Sequence, residues 1–112
     1  MVSLHAAALS LDLHIPSSRS LKAKRAVVRP IVDGLRHRFH VSVAEVGYQD
    51  QWQRALLGVA VVAESDGHLR EVLDTIERFV VARPDVELVE VETTWLEADG
   101  WLEADGRLGV DG

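Results

Sequence analysis

WQRALLGVAVVA, residues 52–63, decides the fold. In an extended chain successive side chains point to opposite faces. Leu57, Val59 and Val61 therefore share one face, and Leu56, Ala60 and Val62 share the other. A strand apolar on both faces belongs in the middle of a sheet. Residues 2–13 have the same character, with Leu4, Ala6 and Ala8 on one alternating set and Ala7, Leu9 and Leu11 on the other. Two further stretches mix apolar with polar positions and suit the edges. In 39–46, Phe39, Val41 and Val43 alternate with His40, Ser42 and Ala44; in 86–94, Val89 and Val91 alternate with Glu90 and Glu92.

Helical periodicity fills the two long gaps. After a loop at Pro16, Ser17 and Ser18, with Ser18 or Ser20 as the cap, Leu21, Val28, Ile31 or Val32 and Leu35 recur at helical spacing. Pro30 is expected to kink or divide this helix and Gly34 to weaken it. A second helix follows the loop at 64–67, with Leu69, Val72, Leu73, Ile76, Phe79 and Val80 as its buried stripe and Arg83-Pro84-Asp85 as its stop. Residues 47–51 make a turn between the second and third strands.

The order is βαββαβ, the split-βαβ arrangement. The expected fold is α+β and ferredoxin-like: a four-stranded antiparallel sheet in order 4-1-3-2 with two helices on one face. That order puts strands one and three, the doubly apolar ones, in the centre. The face opposite the helices is then open and apolar, and a homo-oligomer joined through it is expected.

The chain has 112 residues, room for one core, and 47% of them are hydrophobic. It contains no cysteine, which excludes disulfides, thiolate metal sites and a cysteine nucleophile. No signal-like leader or membrane-length apolar run occurs, so a cytoplasmic protein is expected. The net charge of −6 is unevenly spread. Residues 17–40 hold seven Lys or Arg and one acid, whereas residues 64–112 hold fourteen acids and four Arg.

The basic first helix supplies the leading candidate site. Lys22, Arg25, Arg29 and Arg36 fall near one stripe, and with Lys24 they are the expected contacts to RNA or another partner. The bland alternative is a solvated face paired with acids elsewhere. A second candidate cluster, Glu45, Asp50, Trp52 and Arg54, sits at the hairpin, where Glu45 and Arg54 could pair across strands or line a small-ligand pocket or interface. The five histidines (5, 14, 37, 40 and 68) make no ligand set, so no metal or other cofactor is expected. No nucleophile elbow or phosphate-binding Gly-rich loop is present. Acylphosphatases, which share the topology, use an Arg in a Gly-rich first loop with an Asn. This chain has no Asn, and residues 15–20 have no Gly. A non-enzymatic role is expected.

Residues 95–100, WLEADG, are repeated at once as 101–106. The expected division is a domain at 1–96 and an acidic tail at 97–112, a duplicated segment whose Trp95 and Trp101 are candidates to dock on a neighbouring subunit or partner.

Ser20-Leu21-Lys22-Ala23-Lys24-Arg25 resembles the S-L-K-x-K-R signature of the YlxP-like bacterial proteins, a family of unknown function. FHVSVAEV at 39–46 and QDQWQRA at 49–55 resemble its second signature. The likeness covers residues 2–96 and leaves the repeat outside it. It implies a ferredoxin-like fold and, through gene neighbourhoods beside a translation initiation factor and a ribosome-binding factor, a role near ribosome assembly or translation. It implies no catalytic residues.

Overall fold

The computed structural model describes residues 3–96. Its elements are β1 (His5–His14), α1 (Leu21–Phe39), β2 (Ser42–Gly47), β3 (Arg54–Ala63), α2 (Asp66–Val81) and β4 (Glu87–Leu96). The sheet runs β2-β3-β1-β4 with every neighbouring pair antiparallel. Read from the other edge this is 4-1-3-2, the order expected from the apolar character of β1 and β3.

Strand alternation divides the sheet into two unlike faces. Ala7, Leu9, Leu11 and Leu13 of β1 and Ala55, Leu57, Val59 and Val61 of β3 are buried with Val28, Ile31 and Leu35 of α1 and Leu69, Leu73, Ile76 and Val80 of α2. Both helices thus cover one face, and the single core lies between them and the sheet. The opposite face is open. It is less uniformly apolar than expected. One end carries Ala6, Ala8, Ala60 and Val62, but the other carries Asp12 bound to Arg54 at 2.7 Å, with the Tyr48 ring against the same guanidinium.

α1 runs as one helix through Pro30. Ser20 caps it, its hydroxyl accepting from the Ala23 amide at 3.0 Å. The helix extends to Phe39, and His40, with φ 55°, closes it in the left-handed conformation, its amide donating to the Arg36 carbonyl. The second strand therefore starts at Ser42 rather than at residue 39. Gly34 is a packing requirement: a Cβ there would lie 2.7 Å from the tip of the Phe79 ring, which packs edge-on against Phe39. β3 begins at Arg54, leaving Trp52 outside the strand and 55% exposed. β4 runs two residues beyond the expected end, through Trp95 and Leu96. Trp95 is thus part of the sheet, its ring under the Arg70 guanidinium at 4.5 Å. Residues 97–112, including Trp101, lie outside the described residues.

Candidate functional site

The basic helix separates into two parts. At about 100° per residue, Lys22, Arg25, Arg29 and Arg36 fall within roughly 60° of arc on α1. All four are exposed. Among the described residues, Lys22, Arg25 and Arg29 have no carboxylate within ion-pair distance. Elsewhere pairing is mixed: Lys24 pairs with Glu45, Arg54 with Asp12, Arg70 with Asp66 and Arg78 with Asp74, whereas Arg19, Arg36, Arg38 and Arg83 have no carboxylate within ion-pair distance among the described residues. Arg36 lies in the last helical turn, where a cation complements the helix dipole, and donates to the Val43 carbonyl at 2.7 Å. The stripe borders two shallow surface depressions. One of about 400 Å³ includes Lys22, Arg25 and Arg29; the other, about 310 Å³ between α1 and β2, includes Arg25, Arg29, Arg36, Val32 and Ala44.

Lys24 does not belong to this stripe. It is only 2% exposed. Its ammonium donates to Glu45 Oε2 at 2.9 Å, to the Tyr48 carbonyl at 2.9 Å and to the Arg54 carbonyl at 3.2 Å. Three acceptors match the three protons of an ammonium. The expected contact at Lys24 is therefore corrected: it is a buried tie between α1 and the β2–β3 hairpin. The signal was in the sequence, since Lys24 precedes Val28 by four residues and so shares its face. Glu45 carries the same signal, two residues beyond the buried Val43.

The hairpin cluster also resolves differently. Glu45 reaches toward α1, whereas Arg54 projects from the open face to Asp12 and the Tyr48 hydroxyl. The expected Glu45–Arg54 pair does not form, because each residue finds its partner on the opposite side of the sheet. Asp50 and Trp52 are exposed in the turn. Tyr48 holds φ 58°, a conformation side chains rarely adopt. Its carbonyl accepts from Lys24 and from the Gln51 amide at 3.0 Å, and these bonds hold the turn. Beside Arg54, a cleft of about 200 Å³ on the open face is lined by Ser10, Asp12, Tyr48, Leu56, Glu90 and Glu92.

The histidines stay scattered. Among the described residues no group of three or more His, Asp or Glu is placed to hold a metal. His68 contacts Glu64 at 2.9 Å, which raises the imidazole above its ordinary value and lowers the carboxyl. No helix of the described residues is long and apolar enough to cross a membrane.

Comparison with known proteins agrees with this fold and adds no activity. A chain titled "De novo designed protein Foldit4" superposes with a TM-score of 0.50 at 14% identity, covering 82% of this chain and 99% of its own, a likeness of fold alone. The "Uncharacterized protein YlxP" of Bacillus subtilis (strain 168) is 38% identical over 76 residues, which span 68% of this chain and 83% of that protein. Residues 6–93 match the family described as "Protein of unknown function (DUF503)". The chain belongs to the DUF503 family, whose function is unknown.

Proposed function

We propose that this protein is a non-enzymatic cytoplasmic accessory protein that binds RNA of the translation machinery along the solvent face of α1, and that it works as a homo-oligomer joined through its open sheet face. The observation that carries the RNA reading is the clustering of cations on the exposed side of α1. Lys22, Arg25 and Arg29 are exposed together on one side of α1, and among the described residues none of them has a carboxylate within ion-pair distance. An exposed row of unmatched cations suits a polyanion, whose phosphates release counterions when neutralised. The open face lacks aromatic residues on β1 and β3, so it offers no base-stacking platform, and the helix is the surface favoured for contact.

The test is binding of single-stranded RNA and of purified small ribosomal subunits at several salt concentrations. With three to four phosphate contacts, log affinity should fall with log salt at a slope of about −2 to −3. Lys22→Glu with Arg25→Glu should weaken binding and shrink that slope by about 1.4. Unchanged association at low salt overturns this reading.

A small-ligand reading is supported by the open-face cleft beside Arg54. Asp12 is already bound to Arg54, and the remaining acids of its lining, Glu90 and Glu92, favour a cationic molecule. Ligand-dependent change in Trp52 emission, in a variant lacking Trp95 and Trp101, tests it; a cationic ligand that binds but is unaffected by Glu90→Gln sinks it.

A further inference from the structure

We propose that the outer edge of β4 binds an extended cationic segment of another protein. The segment adds a further strand antiparallel to β4, with Lys or Arg at every second residue over Glu90 and Glu92. The proposal rests on the cationic-ligand reading of the open-face cleft for the charge of the partner, and goes beyond it in making that partner a peptide held by main-chain bonds.

The first support is the direction of the backbone groups. The Ile15 amide donates to the Gln53 carbonyl at 2.8 Å, in step with His14 opposite Arg54. In an antiparallel ladder such bonded pairs recur at every second residue. The odd-numbered residues of β1 therefore turn their N–H and C=O groups to β3, while Ala6, Ala8, Ser10 and Asp12 turn theirs to β4. Their partners there are Leu96, Thr94, Glu92 and Glu90. The groups of the intervening Val91, Thr93 and Trp95 consequently point away from the sheet.

The second is the contrast between the two edges. The same alternation turns the Val43 and Glu45 carbonyls of β2 outward, and side chains occupy both. Arg36 donates to Val43 at 2.7 Å and Gln49 to Glu45 at 3.2 Å. β2 is also short, with 6 residues. β4 has 10, and its register with β1 is regular from Glu90 to Leu96. Among the described residues, no backbone or side-chain group bonds the outward groups of Val91, Thr93 and Trp95. A long strand with unpaired groups is a template for an added chain.

The third is charge, and it selects the occupant. Glu90 and Glu92 lie on the open face beside Ser10, two residues apart and so about 6.8 Å from each other. Glu87 is paired with His14, whereas Glu90 and Glu92 have no cation within ion-pair distance among the described residues. A second copy joined edge to edge would set its own Glu90 and Glu92 among these acids, and like charges on neighbouring strands repel. Cations at alternate positions of an added strand meet the two carboxylates in step. On the helix face the same strand runs beside Val91 and Trp95, so its intervening residues are apolar.

The test titrates the full chain with a seven-residue peptide alternating valine and lysine, followed by backbone amide NMR. We expect larger shifts at the amides of Val91, Thr93 and Trp95 than at those of Glu90, Glu92 and Thr94. A block peptide of the same composition should bind about tenfold more weakly, because it cannot match both faces while making the edge bonds. In the antiparallel arrangement the valine amides face β4. Methylating those nitrogens should abolish binding, and methylating the lysine amides should not. Glu90→Gln with Glu92→Gln should weaken the peptide about fivefold, as expected for two exposed ion pairs. Equal binding of the block peptide, or binding that survives valine methylation, overturns edge addition. Unchanged affinity in the glutamine variant overturns the choice of a cationic partner. Shifts of the same amides on raising protein concentration without peptide assign the edge to a second copy and overturn the proposal. Spermidine separates this site from the cleft reading. If spermidine moves Glu90 and Glu92 while the alternating peptide moves no outward amide, the cleft reading stands and edge addition falls. If the peptide binds along the edge and spermidine does not bind, the strand site stands and the small-ligand cleft falls.

Discussion

The Lys24 ammonium meets Glu45 at 2.9 Å beneath α1, and the same ammonium holds the Tyr48 and Arg54 carbonyls of the hairpin. Lys24→Met should cost about 2–3 kcal/mol, because it strands a partly buried carboxylate and two carbonyls without replacing their donor. Urea denaturation measures it. Arg25→Met, one residue on but exposed, should leave stability within about 0.5 kcal/mol. Equal effects at the two positions would falsify the division of this helix into a buried tie and a free stripe.

Gly34 separates helix propensity from packing. Alanine is the better helix former by about 1 kcal/mol. Here its Cβ would meet the Phe79 ring at 2.7 Å, and forcing the helices apart costs about 1–3 kcal/mol. Gly34→Ala should therefore be net destabilising, by about 1 kcal/mol. Adding Phe79→Leu should recover part of the loss. A stabilised single variant in thermal unfolding would show that Phe79 yields freely.

The Glu64–His68 pair gives a pH signature. His68 titrates above its ordinary 6.5, chiefly through its hydrogen bond to Glu64, and Glu64 titrates below its ordinary 4.5, chiefly through its bond to His68. The His68 contribution to stability is complete below its unfolded value and is lost as pH rises through its raised folded value. The Glu64 contribution is complete above its unfolded value and is lost as pH falls through its lowered folded value. The pair thus helps most between the two ordinary values. Proton NMR should find the His68 midpoint falling in Glu64→Gln; an unmoved midpoint removes the pair.

On the open face, Val46 and Val62 are 56% and 67% exposed. Val62→Asp should turn an oligomer into a folded monomer, read by light scattering after size-exclusion chromatography with circular dichroism as the fold control. A natural chain that is already monomeric at micromolar concentration rules out the sheet-face interface.

Topology was legible because burial in a sheet is written into alternation. β1 and β3 show apolar residues at successive positions, and only central strands need them. Element ends were harder to read. The close of α1 uses His40 in a left-handed conformation usually taken by Gly or Asn, so the following apolar residues read as an early strand. Gly34 read as a weakness because its reason, the Phe79 ring, comes from a helix distant in sequence. The basic stripe was legible in its spacing. The fate of Lys24 and Glu45 follows from position rather than charge type, since both residues recur in step with the buried Val28 and Val43. The Asp12–Arg54 pair joins diagonal neighbours across β1 and β3, a match that depends on register.

Arg36 reaches around the outer strand to take the Val43 carbonyl. A sheet rim with vacant acceptors invites a neighbouring chain to add another strand, the first step of fibril growth. Arg36 thus acts as a stopper on β2 as well as a member of the basic row. A partner that takes up this guanidinium would release the Val43 carbonyl, so the helix face and the rim of the sheet share one side chain.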